Sequence, residues 1–169
     1  MRRLFSLFFL LWAVLAGAQT RNYADNASGT FVFGLDSYFY GETGSLEFDT
    51  HGKTFQVSIS PDEVRVGNKR LGQGGDVVVG VHDFTGDRQP ELVLAHRHPH
   101  TGAILVTIYA LNGGSWEPVG QMSVRDTKEV RVFRQVVSAR CGEALYSWTW
   151  HGTRFDFKAS DGSAEPSLP

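Results

Sequence analysis

The chain has 169 residues, of which 41% are hydrophobic and 20% charged, with 19 Gly, 6 Pro and a single Cys. That is the make-up of one ordinary globular domain, and it excludes a large multidomain enzyme as well as a disordered or fibrous chain. Basic side chains number 16 against 18 acidic ones, a formal charge of −2, so the basic excess that a nucleic-acid backbone demands is missing.

Residues 1–18 contain Arg2 and Arg3, a mostly apolar stretch from Leu4 to Ala16, and the small residues Ala16-Gly17-Ala18. This order predicts a secretory signal cleaved after Ala18. The apolar stretch has 13 residues, fewer than the ~20 that a helix needs to cross a bilayer, and no second long apolar run follows. The expected mature protein is soluble, without membrane insertion, and either periplasmic or secreted. It has a loose polar segment over 19–28, a single domain over 29–158 and a loose tail over 159–169. One Cys cannot make an internal disulfide, so stability has to come from core burial, an ion or a partner. Cys141, beside Gly142, reads as a small, partly buried side chain at a turn.

From residue 29 onward the apolar stretches are short and rich in Val, Ile, Phe, Tyr, Trp and Thr, with Gly, Asn, Asp or Pro between them. This pattern predicts consecutive strands and no amphipathic helix. The expected strands are 29–34, 45–49, 53–59, 63–66, 76–83, 91–97, 103–111, 116–124, 129–139, 144–150 and 153–158, with Asp49 to Lys53 as a hairpin turn. Residues 76–111 form an expected three-stranded meander at the heart of the fold. Within it Ile104, Val106 and Ile108 face one way and Leu105, Tyr109 and Leu111 the other, so this strand is covered on both sides. The stretch 129–139 changes phase near Phe133, which predicts a bulge or a strand that passes between sheets. With a two-residue turn at His151-Gly152, Trp148 faces Phe155 and Tyr146 faces Phe157. All the aromatic side chains then lie on one core-covering face, with an exposed strip for sugars or peptides as the alternative. The fold class is all-β: antiparallel sheets arranged as a small sandwich, a partly closed barrel, or an incomplete propeller-like stack of two to three sheets.

The loop Asp83-Phe84-Thr85-Gly86-Asp87-Arg88-Gln89-Pro90-Glu91 places oxygen-bearing side chains at alternate positions, a spacing able to wrap a hard cation. The alternative is a tight turn held by side-chain-to-backbone hydrogen bonds. VHDFTGDRQPELVLAHR followed by GAILVTIYAL resembles one FG-GAP or VCBS-type repeat, an integrin-like propeller blade, over residues 76–111. The resemblance implies a calcium loop with Asp83, Thr85, Asp87 and Glu91 as side-chain ligands and Gln89 as a backbone ligand. Thr85 replaces the usual Asp or Asn, and Arg88 stands where the family prefers Gly. A complete propeller needs at least four blades, more than this length supplies.

His96, His98 and His100 form HRHPH, whose alternate residues point the same way in an extended segment and can converge on a transition metal, with His82 as a fourth ligand. The alternative is solvated histidines at a strand end. No nucleophile elbow, zinc-protease pair, P-loop or dinucleotide fingerprint occurs. The leading expectation is an exported, non-catalytic β-rich interaction module whose partner is a protein or carbohydrate in the extracytoplasmic space. The alternatives are an inhibitor or immunity-type protein of the cell envelope, and a zinc-dependent hydrolase using the HRHPH segment.

Overall fold

The computed structural model describes residues 30–160. The expected signal at 1–18, the segment at 19–28 and most of the expected tail lie outside the described residues. Among the described residues there is no helix, and the regular structure consists of 14 strands.

Two short strands come first, β1 (Val32–Phe33) and β2 (Ser37–Gly41). Three four-stranded antiparallel meanders follow in chain order. The first comprises β3 (Gly44–Thr50), β4 (Lys53–Ile59), β5 (Glu63–Val66) and β6 (Lys69–Gln73), and forms sheet I. The second is β7 (Val77–His82), β8 (Glu91–Arg97), β9 (Ile104–Asn112) and β10 (Ser115–Val124); with β2 on the free side of β7 it makes sheet II. The third is β11 (Val130–Phe133), β12 (Val136–Cys141), β13 (Ala144–Trp150) and β14 (Phe155–Ser160); with β1 parallel to β11 it makes sheet III. The fold is therefore all-β and built from stacked sheets, none of them closed into a barrel.

Sheet II is the middle layer, and its sequence shows why. Every residue of β7 is buried, because Val77, Val79 and Val81 pack into one core while Val78 packs into the other. The core towards sheet I joins these valines, Leu92, Leu94, Tyr109 and Trp116 to Leu46, Phe48, Val57, Ile59, Val64 and Val66. The core towards sheet III joins Val78, Val93, Ile104, Val106, Ile108 and Met122 to Val130, Val132, Val137 and Trp150. A strand covered on both faces reads as a continuous apolar run, whereas β3, covered on one face, alternates buried and exposed.

The meander expected over 76–111 is present, with β8 between β7 and β9. The hairpin turn at 49–53 is also present, with Thr50 opposite Lys53 and both His51 and Gly52 at positive φ. Four expectations need correction. The strand expected over 29–34 narrows to Val32–Phe33, since Gly34 turns at φ +87° so close to β11 that a Cβ there would lie 1.9 Å from the Val132 oxygen. The phase change near Phe133 is neither a bulge nor a sheet crossing: Phe133 pairs with Val136, so the segment is a hairpin within sheet III, turning at Arg134 (φ +50°). β2 and β6 were not expected as strands. β6 contributes a single large apolar side chain, Leu71, and its pairing with β5 rests on backbone bonds that no apolar pattern announces.

The final hairpin has a four-residue loop, closed by the His151 N–H donating to the Arg154 oxygen at 2.9 Å. Trp150 thus faces Phe155 and Trp148 faces Phe157. The register differs by two from the expected one, and an even shift keeps every aromatic on the same face. That face is largely core, since Trp150 is buried and Tyr146, Trp148 and Phe155 pack against the buried cluster. Phe157 extends past it and is 56% exposed.

Candidate functional site

The β7–β8 loop is organised by its first carboxylate. Asp83 Oδ1 accepts the Gly86 N–H at 2.7 Å and the Thr85 hydroxyl at 3.2 Å, while Oδ2 accepts the Arg88 N–H at 2.8 Å. Burial opposes ionisation of Asp83, but the bonds from Arg88, Gly86 and Thr85 outweigh it and hold the carboxyl below its ordinary range. Asp87 Oδ1 accepts the Gln89 N–H at 2.8 Å. The backbone pays for this closure at two left-handed positions, Gly86 (φ +78°) and Arg88 (φ +66°); glycine adopts that conformation freely and arginine with strain.

Gln89 reaches sideways. Its Oε1 accepts the His51 N–H in the β3–β4 turn, tying the loop to sheet I. Glu91, the first residue of β8, stands opposite His82 and is only 7% exposed. Its Oε2 accepts the Phe84 N–H at 2.9 Å, which places the Phe84 ring in the core against Phe155, 5.4 Å between centroids. Burial pushes the Glu91 carboxyl up to about 7; the Phe84 N–H opposes the shift, and the charges of Asp83 and Asp87 add to it.

These contacts test how a calcium ion would fit. The carboxylate oxygens face N–H groups of the loop itself, and Glu91 is buried and close to half protonated at neutral pH. Among the described residues no three His, Cys, Asp or Glu side chains are grouped so as to hold a metal ion. In this conformation the loop's carboxylates are not grouped as a ligand set, although accepting N–H bonds does not itself bar them from a cation, since a carboxylate oxygen has lone pairs for both. Beside the loop, a groove of about 480 Å³ between sheets I and II collects Asp36, Glu47, Asp49 and Asp83 with Arg88. Asp36 is tied to the loop through the Asp83 N–H at 3.1 Å. Asp36, the β3 residues Glu47 and Asp49, and Asp83 come from three separate stretches of chain and carry no local signal of a shared site.

The histidines are distributed differently from a three-ligand set. His96 lies within β8, opposite Val77 and Leu105, and burial, with His98 adding to it, holds its imidazole below the ordinary range. His98 and His100 occupy the β8–β9 turn with ring centroids 5.8 Å apart, and His98 Nδ1 accepts the His100 and Thr101 N–H groups at 3.3 Å each. His82 sits at the other end of the β7–β8 ladder, where its Nε2–H donates to the Arg134 oxygen at 2.8 Å. Cys141 is half-buried at the β12–β13 turn, and burial, together with the nearby Asp126, raises its thiol pKa. That environment suits a packed thiol better than a nucleophile.

The outward faces of sheets I and III contrast sharply. On sheet I, Ser45, Glu47 and Asp49 on β3 pair with Ser58, Gln56 and Thr54 on β4, and the face is wholly polar. On sheet III, Phe33 is 40% and Phe133 52% exposed. Arg131 lies over the Phe33 ring at 5.9 Å and Arg134 over the Phe133 ring at 5.2 Å. Val136 and Thr149 continue the Phe133 row across the sheet. Neither phenylalanine was singled out from the sequence, although the phase change at Phe133 is the trace of its outward position.

No family model matches the chain, and neither a curated protein nor a solved structure matches it.

Proposed function

We propose that this is an exported, non-catalytic interaction module that binds a protein partner through the outward face of sheet III. The observation that carries the reading is the pair of exposed phenylalanines, each covered by an arginine, on a sheet whose counterpart at the other end of the stack is entirely polar. Aromatic residues and arginine are the types that concentrate binding energy at protein interfaces, and exposed aromatic rings on an outer sheet face offer a surface for a partner to cover. Three successive four-stranded meanders, the second containing residues 76–111, support the likeness to FG-GAP or VCBS-type blades. The export reading rests on the sequence of residues 1–18. The acidic loop serves in this reading as a clamp between sheets I and II, made by its own hydrogen bonds and by the Gln89–His51 contact.

The test compares proteins captured from an envelope or extracellular fraction by residues 19–169, by a Phe33→Ser/Phe133→Ser variant, and by a Gln56→Ala control on sheet I. A specific protein retained by wild type and the control but lost from the double variant, at unchanged melting temperature, supports the reading. Equal capture by all three overturns it, and selective binding on a glycan array would move the partner class to carbohydrate.

A further inference from the structure

Each meander ends in a strand at the margin of its sheet, and two of the three margins are guarded. β6 carries Lys69 and Arg70 and pairs with β5 through a register shift, while β10 contains Pro118 and a register shift between Pro118 and Gly120. Charge, proline and irregular register are the devices that keep a sheet edge from pairing with another chain. β14 carries one charge of each sign, Asp156 and Lys158, but neither proline nor irregularity: it runs in unbroken register with β13 from Phe155 to Ser160 and, among the described residues, has a partner on one side only.

Hydrogen-bond parity identifies the backbone groups that face outward. The His151 N–H bonds Arg154 across the hairpin, whereas the Trp150 N–H turns the other way, to Gln135. Narrow and wide pairs alternate along an antiparallel ladder. The residues of β14 whose N–H and C=O point away from β13 are therefore Phe155, Phe157 and Ala159.

We propose that the free edge of β14 pairs with β14 of a second copy of this chain, antiparallel about a two-fold axis at Phe157. The strand is self-complementary in that register. Phe157 meets Phe157 of the copy and exchanges both backbone bonds with it, Phe155 meets Ala159, and Asp156 meets Lys158 on both sides of the axis. The charged pairs fall at the non-hydrogen-bonded positions, where side chains approach most closely. They lie on the opposite face from the aromatics. Asp156 already holds Arg154 at 2.9 Å, so the incoming lysine joins an existing ion pair. A symmetric contact of this kind closes on itself and makes a dimer rather than a filament. Asp156 and Lys158 share the outward face of sheet III with Phe133, but the edge pairing stands whether or not a partner binds that face.

Sedimentation of residues 19–169 tests it, with three variants. Wild type is expected to be dimeric at about 100 µM. Asp156→Lys alone, or Lys158→Asp alone, sets like charges opposite each other and should weaken dimerisation about ten- to a hundred-fold. The double exchange Asp156→Lys/Lys158→Asp restores opposite charges and should restore the dimer, and mixing the two single variants should yield a heterodimer. Phe157→Pro, which removes an outward N–H without touching the β13 ladder, should leave a folded monomer. A wild type that remains monomeric overturns the proposal, as does a dimer indifferent to the charge exchange.

Discussion

Glu91 offers the sharpest test of how the β7–β8 loop is held. Its carboxyl is buried, 7% exposed, and its pKa is raised from 4.5 to about 7, chiefly by burial. The unfolded chain releases this proton near 4.5, so between the two values the folded state binds more protons than the unfolded state. The stability linked to Glu91 is thus fully present below about 4.5, falls as pH rises towards 7, and stays low above it. A shift of that size corresponds to about 3 kcal/mol, or about 10 °C in Tm for a domain of this size. Glu91→Gln removes the ionisation and keeps an oxygen for the Phe84 N–H. Urea unfolding of both proteins from pH 4.5 to 8 should show the difference in stability moving in favour of the variant by about 3 kcal/mol, almost all of it before pH 7.5. The other titrating groups are shared and cancel in the difference. Parallel profiles for the two proteins would mean that Glu91 ionises normally in the folded state, and would refute the burial argument.

Asp83 should show the opposite dependence, because its folded pKa is lowered. Its contribution is present above the ordinary carboxylate value and is lost as acid protonates it, so Asp83→Asn should lower stability at pH 7 by about 2 kcal/mol and flatten the acid limb of the profile. Arg88→Gly relieves a left-handed arginine and should stabilise by about 0.5–1 kcal/mol after the entropy of glycine is counted. Arg88→Ala keeps the Cβ and should give no such gain in the same urea titration; equal gains would point to charge instead of strain. Thermal melts in millimolar calcium and in chelator should differ by less than about 1 °C, since no three ligating side chains are grouped among the described residues. A rise of several degrees that is lost in Asp87→Ala would show that the loop rearranges around an ion. Gly120→Ala places a Cβ 2.7 Å from the Phe155 ring and should destabilise by about 1–3 kcal/mol.

Much of the fold was legible because strand periodicity survives wherever burial decides it. β4, β5, β8 and β13 have the limits read from their apolar patterns, and the all-buried β7 and half-buried β3 announce a middle and an end layer respectively. β2 was missed although Tyr38 and Tyr40 pack against one core and Phe39 against the other; the other misses fall where backbone geometry, and not burial, sets the strand. β6 has one large apolar side chain, and β1 is cut short by the close approach of Gly34 to Val132. The last hairpin was legible in face and wrong in register, because alternation fixes parity while loop closure at His151 and Arg154 fixes the offset.

The site was less legible for a reason rooted in the layering. An outward residue on a strand is solvated if its sheet ends the stack and buried if another sheet follows, and one strand cannot tell which. Phe133 therefore reads as a disturbance of phase until β11 and β12 are seen to be a hairpin of an outer sheet. Only then does its outward ring, level with Val136 and Thr149 and covered by Arg134, become a surface. Local chemistry drew attention instead to HRHPH and the acidic loop, where residue types that suit a metal also serve the hydrogen bonds of their own turns. His98 Nδ1 and both Asp83 oxygens are acceptors for their own turns. A short loop that must satisfy its backbone N–H groups has first claim on its own carboxylates, and a ligand-like spacing is what that claim produces.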